Sequence, residues 1–157
     1  MNMEANTEMF SDLQGLVNIL NDGKEGYHYA AQTTQSDELM QLFIKYTEQR
    51  EAYVEELKKH IEAFGGSSGN ESGGILGALH RTWIDIKQAL SSHEYIAVLE
   101  AIETGEMAAL EKFDLVLADH EANSDRTAIL RKQRAGIAEA LAEINAARER
   151  LTQQKNA

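Results

Sequence analysis

The sequence predicts an all-α fold, an antiparallel four-helix bundle with a short crossover helix, on three observations. None of its 157 residues is proline. The chain is rich in Ala, Leu, Glu, Lys and Gln, all good helix formers. Apolar residues recur at the spacing of one helix face across long stretches. Proline ends helices and punctuates turns, so a chain without it favours long, uninterrupted helices. One domain, 1–157, accommodates this length, and such a domain buries roughly 70% of the surface its unfolded chain exposes.

The breaks set helices at about 6–33, 36–64, 75–90, 92–121 and 125–153. Asn21-Asp22-Gly23 resembles a turn, but Leu13, Leu16, Leu20, Tyr27 and Ala31 keep one register across it, which predicts a single first helix. The break at Thr33 to Ser36 supplies Ser36 as N-cap, with Asp37 and Glu38 in the first turn, where the helix dipole favours acidic groups. The second helix carries Leu39, Phe43, Tyr46, Tyr53, Leu57 and Phe64 as its stripe. Gly65 is placed to end it and to open a Gly/Ser linker over 65–74. The short third helix has Leu76, Leu79, Trp83, Ile86 and Leu90 on one side. Ser91 and Glu94 have capping-box spacing and predict the start of the fourth helix, with stripe Tyr95, Leu99, Ile102, Leu110, Phe113 and Leu117. Asn123-Ser124-Asp125 makes the last break, before the stripe Leu130, Ile137, Leu141, Ile144 and Leu151.

Lengths suggest the topology. Each long helix of nearly thirty residues spans roughly 40–45 Å, while the third covers about 25 Å and its glycine linker the remainder. The third helix then serves as a crossover, which makes the second and fourth helices parallel. A five-helix up-and-down array is the alternative.

The absence of cysteine removes disulfides, thiolate metal sites and thiol nucleophiles, and fits a reducing compartment. The acidic start MNMEANTEMFSDLQ has no continuous apolar stretch, so neither a signal peptide nor a membrane span is expected, and the expected location is cytoplasmic. A net charge of -11 argues against nucleic acid or anionic lipid as a partner and gives a well-solvated surface.

The segment Gly74-Ile75-Leu76-Gly77-Ala78-Leu79-His80-Arg81-Thr82-Trp83-Ile84-Asp85-Ile86-Lys87 is not generic helix sequence. With Asp22-Gly23-Lys24-Glu25-Gly26-Tyr27 and Thr104-Gly105-Glu106, it resembles a family of small bacterial ferritin-like bundle proteins classed as a domain of unknown function. The resemblance runs over nearly the whole chain and implies a ferritin-like fold, with no activity to carry over. Met107 departs from it, standing where an acidic residue is expected.

Ferritin-like bundles often hold two metal ions between inward carboxylates and paired Glu-x-x-His motifs. Only Glu25-Gly26-Tyr27-His28 has that spacing. At 100° per residue Glu25 lies about 140° from the stripe of the first helix, so it should point outwards, with His28 on the flank. Glu56 and His60, four apart, lie on the inward flank of the second helix, and His120 lies near the end of the fourth. Brought together, they would suit a divalent ion. Histidines at helix ends are more often interfacial or capping groups. Glu100, Glu103 and Glu106 form a carboxylate ladder in which Glu100 faces away and Glu103 flanks the stripe.

Four polar residues fall near one level, halfway along their helices: Lys24, Arg50, Glu106 and Gln133. A metal pair is poorly served by one carboxylate among cationic groups, whereas a structural ion pair of Arg50 with Glu106 needs nothing more. In the crossover segment, His80 and Asp85 are five apart and share no face, which argues against a His-Asp catalytic pair. His80 and Arg81 suit hydrogen bonds to neighbouring helices, and Trp83 suits the core or, alternatively, a partner interface.

The sequence therefore predicts a non-catalytic bundle without a cofactor, acting through its surface or by self-association as a homo-oligomer, in a stress-related accessory role. The alternative is a ferritin-like protein that binds or oxidises iron, or takes another divalent metal.

Overall fold

A computed structural model describes residues 3–66, 78–92, 94–119 and 124–156, with the side chains of 3–6 and 78–83 outside that description. The described residues form five helices and no strand: α1 (Met3–Thr33), α2 (Asp37–Ala63), α3 (Ala78–Ser91), α4 (Tyr95–Ala118) and α5 (Asp125–Asn156). None of these helices is long and apolar enough to cross a membrane.

α1 runs unbroken through Asn21-Asp22-Gly23 because the residues on either side belong to one buried stripe: Leu13, Leu16, Leu20, Tyr27 and Ala31 are all buried. Local turn preference yields to that burial. Ser36 caps α2, its hydroxyl accepting the Leu39 amide hydrogen at 3.2 Å. At the other end of α2 the Gly65 and Gly66 amides donate to the carbonyls of Glu62 and Ile61 at 3.1 and 2.9 Å, the two bonds of a Schellman stop. Gly65 has φ 86 there, so Gly65→Ala is expected to cost roughly 1–2 kcal/mol by urea unfolding. An unchanged midpoint would show that the left-handed turn does not hold α2's end.

Three expectations are corrected. The capping box at Ser91 does not form: Ser91 ends α3, its hydroxyl donating to the Lys87 carbonyl at 3.0 Å, and Glu94 takes the N-cap position of α4 without a side-chain cap bond. α4 accordingly starts later than expected. Phe64, 57% exposed, leaves the stripe because it lies past the last helical turn, where its ring stacks on His60. α5 continues to Asn156, with Ser124 at its start accepting the Thr127 amide hydrogen at 3.1 Å. Leu76, Leu79, Trp83, His120 and most of the linker lie outside the described side chains.

The core forms two clusters, one above the other. The first joins Ala30, Leu39, Phe43, Leu99, Ile102, Ile144 and Ala147 with Ile86 and Leu90 of α3. The second joins Leu13, Leu16, Leu20, Leu57, Ile61, Phe113, Val116, Leu130 and Ile137. α1 packs chiefly on α2, α5 on α4, and α3 on α4; α1 also meets α3 and α4, and α2 meets α5. Ion pairs line the α2–α5 seam: Glu38 with Arg150, Lys45 with Glu143, Glu56 with Lys132. Glu103 with Arg148 and Asp114 with Arg134 do the same between α4 and α5. The exposed pairs among these each contribute about 0–1 kcal/mol, so they mark which helices are neighbours more than they hold them together; Glu103 with Arg148 is half-buried.

Candidate functional site: a buried ion pair and its cavity

Between the two core clusters lies a charged layer. Arg50 projects from the middle of α2 and Glu106 from the middle of α4, and only 1% and 3% of their surfaces remain exposed. The planar guanidinium meets the carboxylate edge to edge: Nη1 donates to Oε1 at 2.8 Å and Nη2 to Oε2. This two-point geometry is the strong form of the ion pair. Tyr27 of α1 adds a third contact, its hydroxyl donating to Glu106 Oε2 at 2.8 Å. The guanidinium also lies 5.4 Å from the centroid of the Tyr27 ring, and its Nε donates to Gln49 at 3.2 Å.

The electrostatics hold Tyr27 and Arg50 in their donor forms. Burial pushes the Tyr27 phenol well above its ordinary value and the Glu106 charge pushes it further, so it stays protonated and can only donate to the carboxylate. Burial alone would lower the Arg50 value, but the adjacent Glu106 carboxylate more than offsets it, and the guanidinium stays charged. Gly23 of α1 makes room for this head group: a Cβ there would fall 2.8 Å from Arg50 Nη1.

The other two residues of the expected layer sit differently. Gln133 is fully buried but turns towards α2 at a neighbouring level, its amide donating to the Tyr53 carbonyl at 3.2 Å and to Glu56 at 2.9 Å. Lys24 is half-buried beside the layer. Tyr27, Gly23 and Gln49 complete the arrangement instead; helical periodicity places Tyr27 in the stripe and gives no sign of Gln49.

The carboxylates and histidines considered as metal ligands are dispersed or engaged. Glu25 and His28 are exposed. Glu56 is held by Lys132 and Gln133, which draw its carboxyl below the usual range against the opposing effect of burial. Glu103 is paired with Arg148. His60 stacks on Phe64, and burial followed by the nearby Arg126 lowers its value, favouring neutral imidazole. Among the described residues no group of three or more His, Asp or Glu side chains is arranged to hold a metal ion. A di-metal centre needs several inward carboxylates free to accept metal, and the one carboxylate at the centre already accepts hydrogen bonds from Arg50 and Tyr27 on both its oxygens. These residues do not fit that group. Of His80, Arg81, Trp83 and Asp85 in the crossover segment, only Asp85 has a described side chain, and it is exposed.

A partly open cavity of about 50 Å³ adjoins the ion pair, with Asp22, Tyr27, Arg50 and Glu106 as its polar part. Gly23 and Gly26 of α1 and Gly105 of α4 line it without side chains. Residues from two separate sequence segments, Asp22-Gly23-Lys24-Glu25-Gly26-Tyr27 and Thr104-Gly105-Glu106, therefore converge on one space.

These features define an all-helical protein whose helices close over a buried, tyrosine-braced ion pair. Residues 8–119, well over half the chain, match the model of a family described as a domain of unknown function, DUF2383, and the chain belongs to that family. No curated protein and no solved structure matches it.

Proposed function

We propose that α1, α2, α4 and α5 make a ferritin-like antiparallel four-helix bundle with α3 as the crossover, and that the protein is a non-catalytic component acting through its surface or by self-association. Pairs along the α2–α5 seam support the topology: partners of Glu38, Lys45 and Glu56 fall steadily in number, from Arg150 to Glu143 to Lys132. The start of α1, the ends of α2 and α4 and the start of α5 share one core cluster, the pattern of α2 and α4 running the same way. Parallel neighbours in sequence need a connection that travels the bundle's length, which the segment carrying α3 supplies.

The observation that carries the functional reading is the engagement of both Glu106 oxygens by Arg50 and Tyr27. The carboxylate at the charged centre is committed to holding three helices together, which leaves it no free oxygen for a metal ion. Protein purified without chelator is expected to contain no stoichiometric iron, manganese or zinc by elemental analysis. Two tightly bound ions per chain, lost on replacing Glu106 by Gln, would reverse the reading in favour of a metalloprotein that binds or oxidises iron.

A further inference from the structure

The cavity beside Arg50 goes beyond that reading. A guanidinium carries five N–H donors. Arg50 uses three, two on Glu106 and one on Gln49, which leaves one hydrogen on each Nη. Nη1 packs closely against Gly23, and both Arg50 and Gly23 line the cavity. A donor edge buried to this degree needs an acceptor, and the cavity is where one can reach it.

The surroundings restrict what that acceptor belongs to. Ile19 of α1, Ile86 of α3 and Ile102 and Ala109 of α4 give apolar walls. An anion would meet Glu106 at the floor, and Asp22 in the lining is already engaged, so it offers a cation no free counter-charge. A cation would find the Glu106 oxygens already held by Arg50 and Tyr27. Within the cavity the charges of Arg50 and Glu106 cancel, so a charged guest would lose its hydration without a free counter-charge. A volume of about 50 Å³ admits a few waters or a guest of a few heavy atoms in their place.

We propose that this cavity is a binding site for a small uncharged organic molecule with one hydrogen-bond-accepting oxygen, received by Arg50 Nη1, and a short aliphatic body, received by the isoleucine and alanine walls. Butan-2-one is a suitable probe, with butyrate and butylammonium as charged counterparts of similar size. Titration of the full chain, followed by amide chemical shifts, is expected to give saturable shifts centred on Gly23, Gly26 and Gly105 with millimolar affinity. The charged counterparts are expected to bind at least about ten-fold more weakly. Ala109→Leu, which fills the apolar wall, should abolish the response. Gly105→Ala, which favours the helix while narrowing the same space, should weaken it and remains informative if the leucine variant does not fold. The proposal is overturned if butan-2-one gives no saturable shifts at these glycines, if either charged molecule binds equally well, or if both folded variants respond like the parent.

Discussion

Replacing Glu106 by Gln is expected to lower the stability of the protein by about 3–5 kcal/mol, because it leaves the Arg50 charge buried with no counter-charge. The substitution keeps the shape of the side chain and removes only its charge, so lost packing contributes little. Arg50 is 1% exposed and cannot turn to water without opening the α2 side of the core. The same Glu106→Gln change made in an Arg50→Met chain should cost much less, since the stranded charge is then absent. Urea unfolding of the parent, the two single variants and the double variant closes a thermodynamic cycle whose coupling reports the pair. Additive effects would mean that the two groups do not depend on each other, and the bidentate contact would then carry no stability. Tyr27→Phe probes the third arm: removing one hydroxyl donor should cost only about 0.5–1.5 kcal/mol if it braces a carboxylate that Arg50 already neutralises.

The pair was visible in the sequence because each charge interrupts an otherwise apolar stripe, Arg50 between Tyr46 and Tyr53, Glu106 between Ile102 and Phe113. Spacing along a helix fixes the height of a residue, and at equal height two opposite charges on inward faces have few alternatives to meeting. Direction around the helix is read less well. Gln133 lies near the expected height but faces Tyr53 and Glu56, and nothing in a one-dimensional pattern distinguishes that azimuth from one aimed at Arg50. Tyr27 was legible as core and not as a donor, because its ring and its hydroxyl answer to different neighbours. The buried face of α4 lies further from its leucines than periodicity predicts: Leu110 and Leu117 are only half-buried, whereas Ala109 and Val116 are buried. Bulky residues dominate a periodic reading, yet α4 packs against α1, α3 and α5, and small side chains serve a face so closely surrounded. Gly23 read as a potential turn because its use lies in α2, in a guanidinium twenty-seven positions along the chain that no local pattern can reveal.

That use gives Gly23→Ala an unusual expected sign. In the interior of a helix such as α1, alanine is ordinarily favoured over glycine by about 1 kcal/mol. Here the new methyl carbon would lie 2.8 Å from Arg50 Nη1, closer than side-chain carbons approach, and Cγ and Cδ of the same residue stand only 3.8 and 3.9 Å away. A flexible surface arginine would swing aside, but this one is fixed by both oxygens of Glu106 and by Gln49. Either the guanidinium shifts and the bidentate geometry loosens, or α1 moves away from α2 and Tyr27 is drawn off Glu106 with it. Overpacking of this sort costs about 1–3 kcal/mol, which outweighs the helix preference and makes the net change destabilising. In an Arg50→Met, Glu106→Gln chain the methyl no longer faces an immobilised head group, and the same substitution should become neutral or stabilising. A reversal of sign between the two backgrounds, measured by urea unfolding, is the expected result. If Gly23→Ala stabilises both chains alike, Arg50 has slack at this position, and the close approach of α1 to the ion pair does not constrain the sequence.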